Sequence, residues 1–388
     1  MPKKAVTALL FLVFVDLMGF GMLIPDVQLR AEKLGAAGWI IGVTLSCMFV
    51  VQAICSPAWG ALSDRVGRKP VILICTSLSA ASMLIYTQAT SILVIVASRV
   101  VSGLGAANVS IAQAALAESV SLDQRTTVMG YVGSATTSGL IVGPAIGGIL
   151  AASGGPVLLG ATACAFSFSG VLAVSLLMPK VDLKSKPRTA RSKETSLRSN
   201  KALLTLFVIA TVSWFALACL EGTFGRLLKH RFDLGQLAFG LIFAYESFLS
   251  AVVQGTVVKS LSKHLGERRL LAVGMTAQGV GLGAMPFLPN LAWLTLAATA
   301  YSLGSALAGP AINGWCSKVT PESQQGAMFG LLQSARSLGF MVGPMIGGAL
   351  FDWRISAPYV LAATTCGAAV ATVLLVTRDP ARSEPSVI

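Results

Sequence analysis

The chain has 388 residues, of which 54% are hydrophobic and only 12% charged, with a mean hydropathy of +0.76. A soluble domain carries about twice that share of charge, which excludes a water-soluble enzyme or binding module. The net charge of +13 does not point to nucleic acid: most of the Lys and Arg lie in short links on the side of Lys3 and Lys4, the positive-inside pattern that puts both termini in the cytoplasm.

From the N-terminus, apolar runs long enough to cross a bilayer lie near residues 5–25, 38–62, 70–88, 92–117, 126–152 and 155–178. They resume near 202–225, 236–258, 269–288, 291–315, 324–350 and 357–376. The first is too long for a cleavable signal peptide, and Asp16 interrupts it. The expectation is an all-α membrane protein of twelve spans. Residues 179–201 are its longest polar stretch, with Lys180, Lys184, Lys186, Arg188, Arg191, Lys193 and Arg198 against Asp182 and Glu194. Such a composition cannot bury a core and reads as a basic cytoplasmic linker near anionic lipid. It separates six-span halves at 1–178 and 202–377, with a cytoplasmic tail at 378–388.

Between spans 2 and 3 the chain reads Gly60-Ala-Leu-Ser-Asp64-Arg65-Val-Gly67-Arg68-Lys69-Pro70. A tight turn with Gly67 at the bend and Pro70 opening the next helix is the natural geometry. On its own it reads equally well as a topological anchor. Span 5 carries Gly130, Gly139, Gly143-Pro144 and Gly147-Gly148. The glycines four apart make a flat stripe on one helix face, which lets a neighbouring backbone approach closely, and Pro144 kinks the helix. The same pattern recurs in span 11 as Gly330, Gly339, Gly343-Pro344 and Gly347-Gly348, and the charged hairpin recurs in weaker form at Ser262–Arg269. Two related six-helix halves with substrate held between them is a transporter architecture.

These strings resemble the major facilitator superfamily: the loop between helices 2 and 3, the helix-4 motif in Arg99-Val-Val-Ser-Gly103-Leu-Gly105, and a first span, Asp16 to Pro25, like that of the twelve-helix tetracycline and multidrug exporters. The resemblance implies two pseudo-symmetric bundles. It makes Gly60, Asp64, Arg65, Gly67, Arg68 and Arg125 the cytoplasmic gate, with Arg125 the partner of Asp64. It makes the span-5 glycines the signature of proton-driven drug antiporters, although their repetition in span 11 shows a share of structural duty. It assigns the helix-4 arginine, Arg99, to proton transfer.

Charges inside spans are costly and usually functional. At ~1.5 Å per residue, Asp16 lies about 16 Å and Arg99 about 20 Å from the cytoplasmic face, near enough in depth to pair. Glu246 and Arg336 fall near the midplane as a second candidate pair, with Glu221 near the outer end of span 7 and Glu118 near the inner end of span 4. The alternative is that these are buried ion pairs that fix helix packing, or interfacial groups in the case of Glu118 and Glu221. A carboxylate in low dielectric is able to cycle a proton near neutral pH, which gives Asp16, Arg99, Glu246, Arg336 and Glu221 as the proton-coupling set.

The polar lining of the substrate cavity is read as Asn108, Gln113, Tyr245, Gln254, Asn313 and Gln333, joined by Gln52. A largely apolar cavity with few fixed polar groups suits amphiphilic ligands of varied shape. Span 3 and span 9 lack the acids that tetracycline exporters carry there, which argues against tetracycline as substrate. No phosphate-binding loop is present. The seven Cys have neither metal nor disulfide spacing, and His230 and His264 both fall in loops. No cofactor and no metal are expected. The expected partners are a small-molecule substrate, protons and the lipid bilayer, with the protein acting as a monomer.

The function read from this is proton-coupled antiport that exports a small hydrophobic or amphiphilic compound. The alternative is a symporter or facilitator that imports a sugar, an organic acid or a similar metabolite. A non-transporting receptor on the same scaffold would not need charges in mid-span.

Overall fold

The structure, a computed structural model, describes residues 3–118, 122–179, 201–320 and 325–375, apart from the side chains of residues 3, 122–127, 201 and 325–327. The linker residues 180–200 and the tail 378–388 lie outside the described residues. No strand occurs among those described. In chain order the helices are α1 (Lys3–Lys33), α2 (Gly38–Val66), α3 (Arg68–Tyr86), α4 (Ile92–Gly105), α5 (Asn108–Glu118), α6 (Leu122–Leu177), α7 (Lys201–Phe232), α8 (Gln236–Thr256), α9 (Val258–Ala284), α10 (Leu291–Lys318), α11 (Gln325–Trp353) and α12 (Ala357–Leu375). Ten stretches among the described residues are long and apolar enough to cross a membrane, one of them 50 residues long.

Several element bounds differ from the hydropathy reading, each for a physical reason. The first helix does not stop at Pro25 but runs on to Lys33, because an Asp26–Arg30 pair one turn apart, at 2.6 Å, neutralises the charge beyond the proline. The fourth span is two helices, broken between Gly105 and Asn108. The fifth and sixth spans run together through one bend, where Gly155 takes φ 60, a conformation that only glycine adopts freely. A similar bend inside α9 is made by Gly266 at φ 70.

The chain groups into two units. Among the described residues the first comprises those up to 179 together with 224–245, and the second those from 201 to 223 together with those from 246 onward. In the first unit α1 is the central helix and packs along α6, while α3 lies against α4 and α6. Two apolar clusters run along α1: Leu9, Leu12 and Val13 meet Ile72 and Ile111, and Met18, Met22 and Leu23 meet Met83, Tyr86 and Leu159. Lipid is as apolar as these side chains, so close packing of small residues does the work that water exclusion does in soluble proteins. In the second unit α9 packs against α10 and α12. Trp39, Trp293 and Trp353 are exposed at helix ends, as interfacial tryptophans are.

Candidate functional site

The break in the fourth span builds the first site. Gly103 and Gly105 let α4 press onto its neighbours: a Cβ at Gly103 would lie 2.5 Å from the Met48 carbonyl, and one at Gly105 2.5 Å from the Cys75 carbonyl. The helix then ends at Ala106 (φ −70, ψ 2), leaving carbonyls without their helical partners. Two α2 side chains satisfy them, as the Trp59 indole N–H donates to Leu104 O at 2.8 Å and the Gln52 amide to Ala106 O at 3.2 Å. Asn108, fully buried, opens α5. Its Oδ1 accepts from the Val109 N–H, and its Nδ2 donates to Asp16 Oδ1 at 2.6 Å.

Asp16 and Arg99 therefore do not form the pair that their depth suggested. The partner of Asp16 is Asn108, while Arg99, itself buried, donates to Ser98 Oγ at 3.3 Å and lies 5.8 Å above the Tyr86 ring. Its Nε has no hydrogen-bond partner. Asn108 is a ligand of Asp16 and Gln52 a pin of the break, rather than free polar lining.

A second polar group in the first unit was not read from the sequence. Asp26 is fully buried. It holds Arg30 through both oxygens at 2.6 and 3.0 Å, accepts from the Tyr86 hydroxyl at 2.8 Å, and accepts from Gln236 at 3.2 Å. Further along α1, Glu32 binds Arg226 at 3.0 Å and His230 at 2.7 Å, and Gln28 accepts from the Gly225 N–H. These contacts tie residues 224–245 into the first unit. The exposed Asp233 just beyond is held below its usual carboxylate range by the neighbouring Lys229 ammonium. The sequence signal for Asp26 was its spacing from Arg30, masked by a Pro25 that looked like a helix exit.

In the second unit Glu246 is buried, and its Oε1 has no hydrogen-bond partner, nor has the buried hydroxyl of Tyr301. Ser302 Oγ donates to the Glu246 backbone carbonyl at 2.7 Å. Glu221 and Tyr301 are the electrostatic neighbours of Glu246. No ion pair of Arg336 with Glu246 occurs among the described residues: Glu221 is the electrostatic neighbour of Arg336, whose guanidinium lies 5.0 Å above Trp214 and 5.7 Å from Phe340. The second unit thus collects Glu221, Glu246, Tyr301 and Arg336 inside apolar helices.

The charged hairpin turns at Gly67, with φ 97. Asp64 pairs with Arg68 at 2.7 Å, and Arg68 also binds Glu118 at 2.6 Å. Glu118 is therefore an ion-pair partner of this loop rather than a lone interfacial group. Lys69 Nζ caps the end of α6 at the carbonyls of Ser175 (2.8 Å) and Met178. The expected partner of Asp64, Arg125, has a side chain outside the described residues. Arg65 is exposed, and Gly60 has nothing within 4 Å of an added Cβ.

The glycine motif divides in two. Gly139 and Gly143 press onto the Phe14 and Met18 carbonyls of α1, at 2.6 and 2.5 Å from an added Cβ, and Gly147 onto that of Met22. Gly148 faces the other way, where an added Cβ would lie 2.6 Å from Gln236 O on α8, and a Cβ added at Gly21 would lie 2.9 Å from the Pro144 ring. Gly130 meets nothing, so it takes no part in the stripe. Of the remaining lining residues Gln113 is half-buried, and Tyr245, Gln254, Asn313 and Gln333 are exposed. Gln254 donates within its own helix to Ser250. No metal-binding group of His, Cys, Asp and Glu occurs among the described residues.

The chain is similar to tetracycline resistance protein class G of Vibrio anguillarum, 29% identical over 363 residues, which cover 91% of each chain. It is 26% identical over 368 residues to multidrug resistance protein 2 of Bacillus subtilis, covering 93% of this chain and 92% of the other. Among solved structures it superposes on the human organic anion transporter MFSD10 with a TM-score of 0.72, 22% identity and coverage of 96% of this chain and 100% of that one. The family model of the Major Facilitator Superfamily matches residues 9–256 and 206–387. Ten apolar helices, carboxylates buried within two of the units' spans and a family match along nearly the whole chain make this an integral membrane transporter, not an enzyme, and a member of the Major Facilitator Superfamily.

Proposed function

We propose that the protein exports a small hydrophobic or amphiphilic compound in exchange for protons. The observation that carries this reading is Glu246, a carboxylate buried in an apolar helix with one oxygen unpartnered. A charge left in that position is costly, whereas a group that gains and loses a proton during a cycle has reason to be there. Two relatives named for tetracycline and multidrug resistance support export over uptake. Spans 3 and 9 lack an acid, so the proposed cargo is the broader amphiphilic class rather than tetracycline.

In the proposed cycle Asp16 and Glu246 take protons from outside, and the altered charge balance with Asn108, Glu221 and Arg336 releases cargo there. The hairpin at Asp64 and Arg68, with Arg125, acts at the cytoplasmic gate. The proposed arrangement has twelve spans in halves 1–178 and 202–377, joined by the basic linker 179–201. The two arms of α6 count separately and α4 with α5 counts as one. The termini, including the tail 378–388, are cytoplasmic, the membrane is the inner or plasma membrane, and the protein works as a monomer. The test is proton flux in proteoliposomes offered lipophilic cations, quinolones, sugars and organic acids in turn. Protons moving against an added amphiphile are expected, and co-movement with a sugar or organic acid alone would overturn export.

A further inference from the structure

The discontinuous fourth span has a construction that packing alone does not require. The two carbonyls exposed at its break, Leu104 O and Ala106 O, are taken up by Trp59 and Gln52 of α2. On the far side of the break Asn108, with no exposure, uses one end of its amide on the Val109 N–H and the other on Asp16. Hydrogen bonds from α1 and from α2 therefore grip the two sides of the break, joined only by the backbone between Ala106 and Asn108. The amino end of α5 carries a partial positive charge, and half-helix ends of this kind face ionic groups in transporters.

We propose that Asn108 is a positioning residue that holds the Asp16 carboxylate at the mouth of the broken span, and that Gln52 and Trp59, by pinning the break, transmit proton occupancy at Asp16 to α2. This rests on the reading of Asp16 as a proton-coupling group. The other groups around Asp16 are Ser79 and Cys75 on α3. Arg99 on α4 is engaged with Ser98 and Tyr86, and Glu118 on α5 with Arg68. On α6 the described titratable side chains are Tyr131 and Cys164, neither of them charged at neutral pH. Asn108 and Ser79 both hydrogen-bond this carboxylate, and Asn108 is the one of the two that lies at the break and would feel there its change from acceptor-only to donor. When Asp16 takes a proton, the ionised acceptor of Asn108 Nδ2 is lost and the break is held less firmly. Coupling of this kind is reciprocal: a residue that pins the break must affect the proton affinity of Asp16 without touching it.

The experiment is an infrared pH titration of the purified full chain, with no substrate needed, following the protonated-carboxyl stretch that disappears in Asp16→Asn. In Asn108→Ala the midpoint is expected to move up by about one pH unit, the equivalent of one lost charge-assisted hydrogen bond. In Gln52→Leu it is expected to move the same way by a smaller amount. Gln52→Leu decides the matter if Asn108→Ala does not fold. Midpoints equal to wild type in the folded variants would overturn the proposal while leaving Asp16 as the titrating group. Absence of any stretch that Asp16→Asn removes would instead overturn the reading on which it rests. A shift in Asn108→Ala with none in Gln52→Leu would overturn the transmission to α2.

Discussion

Glycine has a different duty at each position of the span-5 motif, and the duties separate by experiment. At Gly147 the α1 backbone at Met22 leaves no room for a side chain. Gly147→Val is therefore expected to cost about 1–3 kcal/mol through overpacking and to lower the melting temperature in detergent. Gly130 meets nothing within 4 Å of an added Cβ and lies within a helix. Gly130→Ala is expected to raise stability by about 0.5–1 kcal/mol, because alanine loses less backbone freedom on folding. A thermal melt that destabilises both variants alike would show that the motif acts as one unit. The stripe itself was legible in the sequence, since a spacing of four on a helix puts residues on one face. The opposite facing of Gly148 follows from the 100° step between neighbours, but its partner on α8 was not legible.

At the scale of elements, the two loops that resemble each other in sequence share a construction. Gly67 and Gly266 bend the chain with positive φ. Lys69 caps the end of α6, and Arg268 caps α12 at the carbonyls of Val373 (3.1 Å) and Leu374 (2.5 Å). The ion pair that closes each loop has its charges exchanged: Arg68 meets Glu118 in the first unit, while Glu267 meets Lys318, also at 2.6 Å, in the second. A pair repeated in place with its charges exchanged works through attraction, whichever side carries the cation. Arg68→Glu is therefore expected to reduce stability and transport, and Arg68→Glu with Glu118→Lys to restore only part of both, because the Asp64 pair is lost in either variant. The coupling energy should be about 0.5–1 kcal/mol, since Glu118 is 42% exposed and water screens the pair. A double variant no better than the single one would show that the attraction between Arg68 and Glu118 contributes nothing to the effect.

The same scale explains which parts of the site were readable. Hydropathy located the helices, and the motifs located the loops, because both are local along the chain. The pairings of Asp16 with Arg99 and of Glu246 with Arg336 failed because rise per residue gives depth and says nothing of the direction in which a side chain leaves its helix. Asp16 turns to Asn108 and Arg99 to the Tyr86 ring, and in the other unit the electrostatic neighbour of Arg336 is Glu221. The break in the fourth span was hidden for a related reason: its cost is met by Gln52 and Trp59 from a different helix, so the local sequence shows only small residues.

For the whole molecule, each unit holds a carboxylate within its apolar spans that no cation pairs directly among the described residues, half-buried Asp16 against Asn108 in the first and buried Glu246 near Glu221 in the second. A transporter that moved a neutral solute down its gradient would have no use for either. Loss of both carboxylates should therefore affect driven transport and simple exchange differently. The deciding measurement uses proteoliposomes holding the double variant Asp16→Asn with Glu246→Gln and an amphiphile moved by the wild type. Accumulation driven by an imposed pH gradient is predicted to be lost, while substrate exchange at equal pH continues. Accumulation equal to that of the wild type would contradict the assignment of proton coupling to these two carboxylates.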